Sequence, residues 1–244
     1  MNPSKSEVLT RLAADKPRFH HMDEQGRDRV LRAGLRAPAV GDCSWGVPPE
    51  VLQWIADHVT GEMTTLETGA GYTTVMMAAR AKHHYCCTMF DLEREKLRDY
   101  LRKLGIADDK VTYVIGPSDQ TLPRLDIGKT LDFAYIDGCH GYPFPALDWH
   151  YVDQRLKVGG IVGMDNVELR PVREHCDFLE ENKSYRLVEA LDVGYFIRFY
   201  EKLTDQHREW IDQPYSIAKK DPCDTRLVTV LRRQATRFIK PLLY

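Results

Sequence analysis

The sequence predicts an α/β fold, in which a mostly parallel sheet is covered by helices on both faces. From residue 48 onward, short apolar segments alternate with helix-like segments, and the connections between them are short. This alternation is typical of parallel strands that are joined by crossover helices. The predicted strands are 64–69, 85–90, 111–115, 131–136 and 159–164, and the predicted helices between them are about 73–81, 93–104, 118–125 and 146–156.

The segments after residue 184 predict how the sheet ends. Residues 185–191 and 195–200 are strand-like and flank Asp192-Val193-Gly194, which is typical of a hairpin connection. We therefore expect five parallel strands followed by a C-terminal hairpin, with one antiparallel strand closing the sheet.

The two ends of the chain lie outside this alternation. Helical patterns occur at about 4–14 and 24–34. Residues 225–244 place apolar side chains along one helical face with basic residues around them, which would suit a homodimer element, a membrane-surface helix or a helix packed on its own domain. We expect an N-terminal helical lid or extension over 1–47, an α/β domain over 48–200 and a C-terminal helical extension over 201–244.

Composition excludes some classes of protein. The 244 residues include 34 Lys+Arg and 36 Asp+Glu, a net charge of −2, which argues against a nucleic-acid binder with a global basic field. No apolar run approaches the roughly 20 residues of a membrane helix, and residues 1–16 lack an apolar signal region. The six cysteines form no CxxC pair, so we expect free thiols in a cytoplasmic protein.

Candidate ligand-binding residues follow the first predicted strand. In parallel α/β sheets, ligands bind beyond the carboxyl ends of the strands. Gly69 and Gly71 would let the chain turn sharply and let a ligand approach the backbone, although an ordinary tight turn has the same pattern. A dinucleotide-binding fingerprint would have Gly or Ala at position 74, where this chain has Thr74. Glu67 places a carboxylate at the end of the strand, which suits a cationic ligand.

Polar residues also follow the second and third strands. Asp91 lies twenty positions after Gly71, and a carboxylate there can accept hydrogen bonds from both hydroxyls of a ribose. Asp91 could instead cap the following helix. The turn containing Ser118 and Asp119 could border an adenine, or Ser118 could act as an N-cap.

Two acids and an amide follow the fourth and fifth strands. Asp137 comes after the fourth strand, and Asp165-Asn166 comes after the fifth, so their side chains should converge at one edge of the sheet. Carboxylate and amide oxygens are ligands that suit Mg²⁺. Each could instead stabilise a turn. His140, in the same loop as Asp137, could accept a proton near neutral pH or serve only a structural purpose.

Histidine and tryptophan residues outside these loops are harder to interpret. His83 and His84 precede a predicted strand, so we expect them to face solvent. His20 could contact the substrate from the lid. Trp45 could cover the cofactor or act as a packing anchor.

Over about residues 45–200, the chain resembles class I S-adenosylmethionine (SAM)-dependent methyltransferases. The resemblance rests on five motifs in a fixed order: ETGAGYTT, MFDLE, VTYVIGPSDQTLPRL, LDFAYIDGCHGY and LKVGGIVGMDNV. More narrowly, they resemble the small-molecule O-methyltransferases that include the cation-dependent catechol type. The resemblance implies a Rossmann-like, doubly wound, seven-stranded sheet. It also implies a set of SAM-binding residues: Glu67, Gly69, Gly71 and Thr73 around the methionine part, Asp91 on the ribose, Ser118 and Asp119 near the adenine, and Asp137.

The resemblance further implies that Asp137, Asp165 and Asn166 bind a divalent cation. Asp137 and His140 are the candidate catalytic residues, and the role of His140 rests on its position between the metal and cofactor loops. Catechol-type members have a lysine base three positions after the first acid, where this chain has His140. This departure leaves the base and the catechol substrate open, and related bacterial enzymes with a DGxHxY pattern have no single substrate class.

The sequence thus predicts a SAM-dependent methyltransferase that acts on a hydroxyl of a small molecule, with Mg²⁺ or another divalent cation. One alternative is a metal-independent enzyme of the same fold, possibly N-directed. A nicotinamide oxidoreductase is disfavoured by Thr74 and Glu67. A third alternative is a non-catalytic scaffold that binds the cofactor.

Overall fold

A computed structural model of the protein describes residues 3–32, 34, 37–194, 196–206 and 209–217. The chain divides into two compact units, residues 1–205 and 206–244. In the second unit, a short 3₁₀ helix (Trp210–Asp212) is followed by the four-residue helix α9 (Pro214–Ile217). The amphipathic helix expected at 225–244 lies outside the described residues.

The first unit contains a seven-stranded sheet of the predicted kind. Its order is β5-β4-β3-β6-β7-β9-β8. The pairings from β5 to β7 are parallel, and β9 is antiparallel to both β7 and β8, which confirms the mostly parallel sheet with a C-terminal hairpin. The strands are β3 (Thr64–Thr68), β4 (His83–Thr88), β5 (Val111–Ile115), β6 (Leu131–Ile136), β7 (Leu156–Met164), β8 (Tyr185–Asp192) and β9 (Phe196–Lys202).

Helices cover both faces of this sheet. Successive residues of β6 belong to two separate hydrophobic clusters, Phe133 and Tyr135 to one and Ala134 and Ile136 to the other, because side chains alternate between the faces of a strand. The first cluster includes residues of α3, α4 and α5, and the second includes residues of α7 and α8. The helices are α3 (Pro49–His58), α4 (Tyr72–Arg80), α5 (Asp91–Lys103), α6 (Ser118–Thr121), α7 (Phe144–Asp153) and α8 (Arg170–Asn182).

Helices α6 and α8 differ from the sequence-based expectation. Helix α6 ends at Thr121 and continues as a 3₁₀ turn that contains Pro123, which has no N–H for a helical hydrogen bond. Helix α8 was not predicted, although its buried residues Val172, Cys176 and Leu179 recur at helical spacing.

The N-terminal segment contains α1 (Lys5–Asp15), β1 (His20–Met22), α2 (Glu24–Arg32) and β2 (Gly41–Cys43). Strands β1 and β2 form a separate antiparallel pair that was not predicted, because three residues are too few to show a strand periodicity. Val8 and Leu12 of α1 are buried in the same cluster as α3 and α4, so this segment packs against the main domain.

The strand order creates a crevice between β3 and β6. The chain proceeds from β3 outward to β4 and β5 and then returns to β6 on the other side of β3. The ends of these strands are joined by a hydrogen bond from Asp137 N to Thr68 O (3.0 Å). Ligands of open α/β sheets bind where the strand order reverses in this way. Among the described residues, no helix is both long and apolar enough to cross a membrane, and none of the five cysteines there forms a disulfide.

Candidate active site

A cavity of about 940 Å³ lies at the carboxyl ends of the strands, where the loops after β3 to β7 meet the N-terminal segment. Six of the residues that the sequence predicts to bind the cofactor or metal or to act in catalysis line it: Gly69, Ser118, Asp137, His140, Asp165 and Asn166. Five others do not line it: Glu67, Gly71, Thr73, Asp91 and Asp119.

The turn after β3 requires glycine at position 69. Gly69 has a φ of +95°, and a Cβ at this position would lie 2.3 Å from the carbonyl oxygen of Asp137. Both the left-handed conformation and the close backbone contact exclude a side chain. The loops after β3 and β6 therefore meet backbone to backbone at the cavity.

Glu67, two residues before Gly69, stabilises this turn through hydrogen bonds. Its side chain is fully buried; Oε2 accepts a hydrogen bond from Thr73 Oγ1 (2.6 Å), and Oε1 bonds to Thr74 Oγ1 and lies 3.0 Å from His84 Nε2. The Thr74 hydroxyl also accepts the N–H of Gly71 (2.9 Å), at the start of α4. The Glu67 carboxylate thus links the turn to α4 and β4.

The burial of His84 corrects the expectation that this residue faces solvent. Its side chain is fully buried, with Nδ1 2.8 Å from Thr65 Oγ1 and Nε2 against Glu67. Strand β4 begins at His83, two residues earlier than predicted, so His84 lies within the sheet. A buried imidazole is tolerated here because both nitrogens have polar partners.

The first turn of α5, after β4, presents Glu93 to the cavity. Asp91 is exposed and ion-paired with Arg94 (2.9 Å), whereas Glu93 lines the cavity and accepts a hydrogen bond from Thr88 Oγ1. Helix α5 begins at Asp91, and residues two positions apart on a helix point to different sides. The sequence offered a second acid in MFDLE, but its direction depends on where the helix begins.

Ser118 also lines the cavity; it is the first residue of α6, and Pro117 rather than Ser118 occupies the N-cap position. Asp119, the next residue, is exposed to solvent.

Two acids and a histidine converge in the cavity wall. One ligand atom from each of Asp137, His140 and Asp165 lies within 4.8 Å of the others, and His140 Nε2 is 3.5 Å from Asp137 Oδ1. Tyr135 donates a hydrogen bond to Asp165 Oδ1 (3.0 Å). The geometry predicted from the ends of neighbouring strands is therefore present.

The environment of these three groups shifts their protonation. Burial raises the pKa of Asp137 to about 7. Burial, together with the nearby Asp137 carboxylate, holds the pKa of Asp165 well above its ordinary value. Burial lowers the pKa of His140, against the opposing effect of Asp165. The pair of carboxyl groups thus needs a proton or a cation between them to be stable.

Asn166 and Glu168 complete this side of the cavity. Asn166 has a φ of +56°, and its Nδ2 donates to Glu168 Oε1 (2.9 Å). Glu168 Oε2 accepts the N–H of Phe196 at the start of β9 (3.0 Å). Glu168 was not singled out from the sequence, because no motif marks the second residue after the Asp-Asn pair.

A second cluster of potential metal ligands lies below the glycine turn. Ligand atoms of Glu67, His84 and Cys86 are within 4.8 Å of one another, and all three residues are buried. The oxygens of Glu67 already have hydrogen-bond partners, so this cluster forms an internal hydrogen-bond network rather than an open metal site.

The N-terminal segment supplies one wall of the cavity through His20, Ser44, Trp45 and Gly46. His20 Nδ1 accepts the N–H of Trp45 (3.4 Å), so Nε2 is the protonated nitrogen and donates to Ala70 O (2.7 Å). His20 therefore connects this segment to the glycine turn. His20 and Trp45 both line the cavity in which a ligand is expected.

Comparisons with known proteins agree with this fold. Residues 66–167 match the family model described as "Methyltransferase domain". No curated protein sequence matches the chain. Among solved structures, the cofactor-bound Rv0187 from MTB is 19% identical, with a TM-score of 0.59, over 85% of this chain and 100% of that one.

Two O-methyltransferase structures are also similar. TomG from Streptomyces achromogenes, involved in tomaymycin synthesis and solved with SAM, is 16% identical, with a TM-score of 0.55, over 75% of this chain and 91% of that one. An O-methyltransferase from Bacillus cereus, solved with S-adenosylhomocysteine (SAH), is 19% identical, with a TM-score of 0.55, over 74% of this chain and 92% of that one. Residues 66–167 thus match a methyltransferase domain, and the chain has the fold of these methyltransferase structures.

Proposed function

We propose that this protein transfers the methyl group of SAM to a hydroxyl oxygen of a small molecule with the help of a divalent cation such as Mg²⁺. The observation that supports this most directly is the cluster of Asp137, His140 and Asp165 in the wall of the cavity that also contains the glycine turn. A methyl donor and an activated hydroxyl could therefore meet in one space.

The cavity, at about 940 Å³, has the size of a small-molecule or cofactor site. Gly69 lines it, and its missing side chain accommodates the backbone of Asp137 from the loop after β6. Glu93 is the carboxylate in the first turn of α5 that could accept the two ribose hydroxyls, in place of Asp91. Ser118, on the next loop, would lie near the adenine. Glu67, Gly71 and Thr73 would then act by shaping the turn rather than by contacting the ligand.

The residues around Asp137 fit a hard divalent cation. Carboxylate oxygens from Asp137 and Asp165 are preferred ligands of Mg²⁺, and a cation there would offset the repulsion between them. Because Asn166 donates Nδ2 to Glu168, its Oδ1 remains available as a third oxygen ligand. When bound, a cation would lower the pKa of an acceptor hydroxyl and fix its direction.

His140 would receive the proton of that hydroxyl. It lines the cavity, and burial lowers its pKa, so the imidazole is neutral and able to accept a proton at neutral pH. Methyl transfer from a sulfonium is an in-line displacement, so the remaining contribution of the site is alignment of the donor and acceptor.

The walls of the cavity favour a small acceptor with an apolar part. Val30, Trp45, Phe144 and Leu169 line it together with the polar cluster. The N-terminal segment is tied to the glycine turn by His20 and forms one wall of the cavity.

The test is methyl transfer from labelled SAM to a panel of small hydroxylated aromatic compounds, before and after exhaustive chelation. We expect turnover to be lost on chelation and restored by Mg²⁺, and Asp137→Asn to abolish the restoration. Asp109→Asn, which removes an exposed acid, is the matched control. Activity that survives chelation would contradict the role of the cation, and binding of NAD but not of SAH would contradict the cofactor.

A metal-independent methyltransferase is the second candidate. The raised pKa values of Asp137 and Asp165 favour it, because a shared proton can also hold the two carboxyl groups together. The chelation experiment separates the two candidates.

A further inference from the structure

The wall of the cavity at Gly138 conceals a buried carboxylate that has no positively charged partner. Asp148, on α7, is 1% exposed; neither of its oxygens makes a hydrogen bond of good geometry, and the hydroxyls of Ser118 and Thr68 are its polar neighbours. Thr68 Oγ1 likewise makes no hydrogen bond of good geometry. A charged carboxylate that is removed from water in this way strongly destabilises a protein unless a proton, a donor or a positive charge compensates it.

Gly138 separates this carboxylate from the cavity. A Cβ at position 138 would lie 3.2 Å from Asp148 Oδ2 and 3.1 Å from Thr68 Oγ1. Gly138 does not have a positive φ, so the backbone conformation alone does not require glycine. Its missing side chain lets Asp148 pack directly behind the backbone of the cavity wall, which Thr68, Ser118 and Gly138 line.

The protein itself provides little compensation for this charge. Burial raises the pKa of Asp148 to about 6, and the groups that act in the opposite direction are the hydroxyls of Ser118 and Thr68 and the imidazole of His140. No lysine or arginine is among them. A ligand in the cavity is therefore the natural source of the missing positive charge.

We propose that Asp148 is the counter-charge for the cationic cofactor and makes the site prefer SAM to its neutral-sulfur product, SAH. This inference rests on the proposed function and adds to it a residue that determines cofactor specificity. Asp148 lies at the junction of the loops after β3 and β6, where the strand order reverses and a ligand of this fold is expected.

The same charge would assist product release. In the transfer, the S–CH₃ bond breaks with its electron pair left on sulfur, a lone pair of the acceptor oxygen forms the new C–O bond, and the hydroxyl proton passes to His140. The cofactor thereby loses its sulfonium charge and its attraction to Asp148, so SAH is held less tightly than SAM.

The test is the variant Asp148→Asn, which keeps the shape and removes the charge. Isothermal titration of SAM and of SAH, each as the only ligand, should show an affinity for SAM about tenfold lower, with the affinity for SAH changed by less than about twofold. The exposed-acid variant Asp109→Asn should leave both affinities unchanged.

The melting temperature of the ligand-free variant distinguishes this role from a structural one. Because Asp148→Asn removes an unpaired buried charge, we expect it to melt at the same or a higher temperature than the unchanged protein. Equal losses of affinity for SAM and SAH, or no loss for either, would overturn the proposal, since a shared contact or an ordered water would then explain the site.

Asp148→Ser removes the same charge and gives the same comparison if the Asn variant does not fold. If neither variant folds, the carboxylate is structural and the proposal is wrong. A parent protein that binds neither ligand would contradict the proposed function itself, whereas binding with an unchanged preference would contradict the role of Asp148 alone.

Discussion

Asn166 donates its side-chain N–H to Glu168 across 2.9 Å, and this bond determines which end of the amide is left for a cation. With Nδ2 engaged, Oδ1 is the atom of this side chain that would be available to the proposed cation. Glu168 also accepts the N–H of Phe196, so it fixes the loop after β7 to the first residue of β9. Partners of this kind orient metal ligands without touching the metal.

Replacement of Glu168 should therefore weaken the cation site. For Glu168→Ala, we expect the Mg²⁺ concentration at half-maximal activity to rise about 10-fold or more, with kcat at saturating Mg²⁺ within about threefold of normal. The measurement is activity against Mg²⁺ concentration. The control is Glu174→Ala, which removes an exposed acid paired with Arg170. An unchanged Mg²⁺ requirement would show that Glu168 does not orient Asn166.

Added Mg²⁺ should stabilise the protein more at pH 8 than at pH 5. The raised pKa values of Asp137 and Asp165 mean that the folded, metal-free chain binds more protons than the unfolded chain from about pH 4, the ordinary carboxyl range, to about pH 7. Their contribution to the free energy of unfolding therefore falls as pH rises through this window. A cation that replaces those protons relieves the loss at high pH. Melting temperatures recorded with and without Mg²⁺ at pH 5 and pH 8 test this prediction, and an equal Mg²⁺-induced shift at both pH values would contradict it.

Glu93 and Asp91 make a matched pair for the ribose contact. Glu93→Gln, which removes the charge in the cavity, should weaken SAM and SAH binding alike by about 10-fold, because the loss of a charged acceptor is worth about 1.5–3 kcal/mol. Asp91→Asn should change the affinity by less than about twofold, since that side chain is exposed and paired with Arg94. Titration calorimetry measures both variants. A larger loss of affinity for Asp91→Asn than for Glu93→Gln would assign the ribose contact to Asp91 instead.

The role of His140 as the base should appear in the pH profile. Burial lowers its pKa below the usual 6.5, so kcat/KM should rise with pH to a plateau reached below neutral pH. His140→Asn should remove this limb and lower kcat about 100-fold, with SAM affinity within about threefold. The profile is recorded at saturating Mg²⁺, so that Asp137 and Asp165 do not titrate. If this limb of the pH profile persists in His140→Asn, a group other than His140 is responsible for it.

His84 and His83 are adjacent in sequence, but only the side chain of His84 is fully buried. His84→Ala removes a partner of the fully buried Glu67 carboxylate, so we expect a loss of about 3 kcal/mol in the free energy of unfolding. His83→Ala, at a part-exposed position, should lose less than about 1 kcal/mol. Urea denaturation measures both. Similar values for the two variants would mean that the Glu67 network does not depend on His84.

The sequence could predict features that depend on backbone periodicity. The five parallel strands and the hairpin follow from apolar runs and turn residues, and the structure confirms them. The convergence of Asp137, Asp165 and Asn166 could be expected as well, because residues directly after neighbouring parallel strands must lie at one edge of the sheet. Residue type and strand position are sufficient for such a site.

Directions of side chains within the loops and helices needed the tertiary structure. The sequence contains both Asp91 and Glu93, but the first turn of α5 decides which of them reaches the cavity. In the same way, His84 is buried only because β4 begins at His83 and Glu67 lies opposite. Asp148 and His20 come from a helix and a strand that are distant in sequence from the glycine turn, and no local pattern brings them to it.

The sequence by itself determined the sheet, the edge at which ligands bind and the chemistry of the residues directly after its strands, because these depend on spacing along the chain. Only the tertiary structure decided that Glu93 lines the cavity, that Glu168 holds Asn166 and that Asp148 lies unpaired behind Gly138. Those relationships depend on packing between segments that are far apart in sequence, where a difference of one residue in a helix start redirects a side chain.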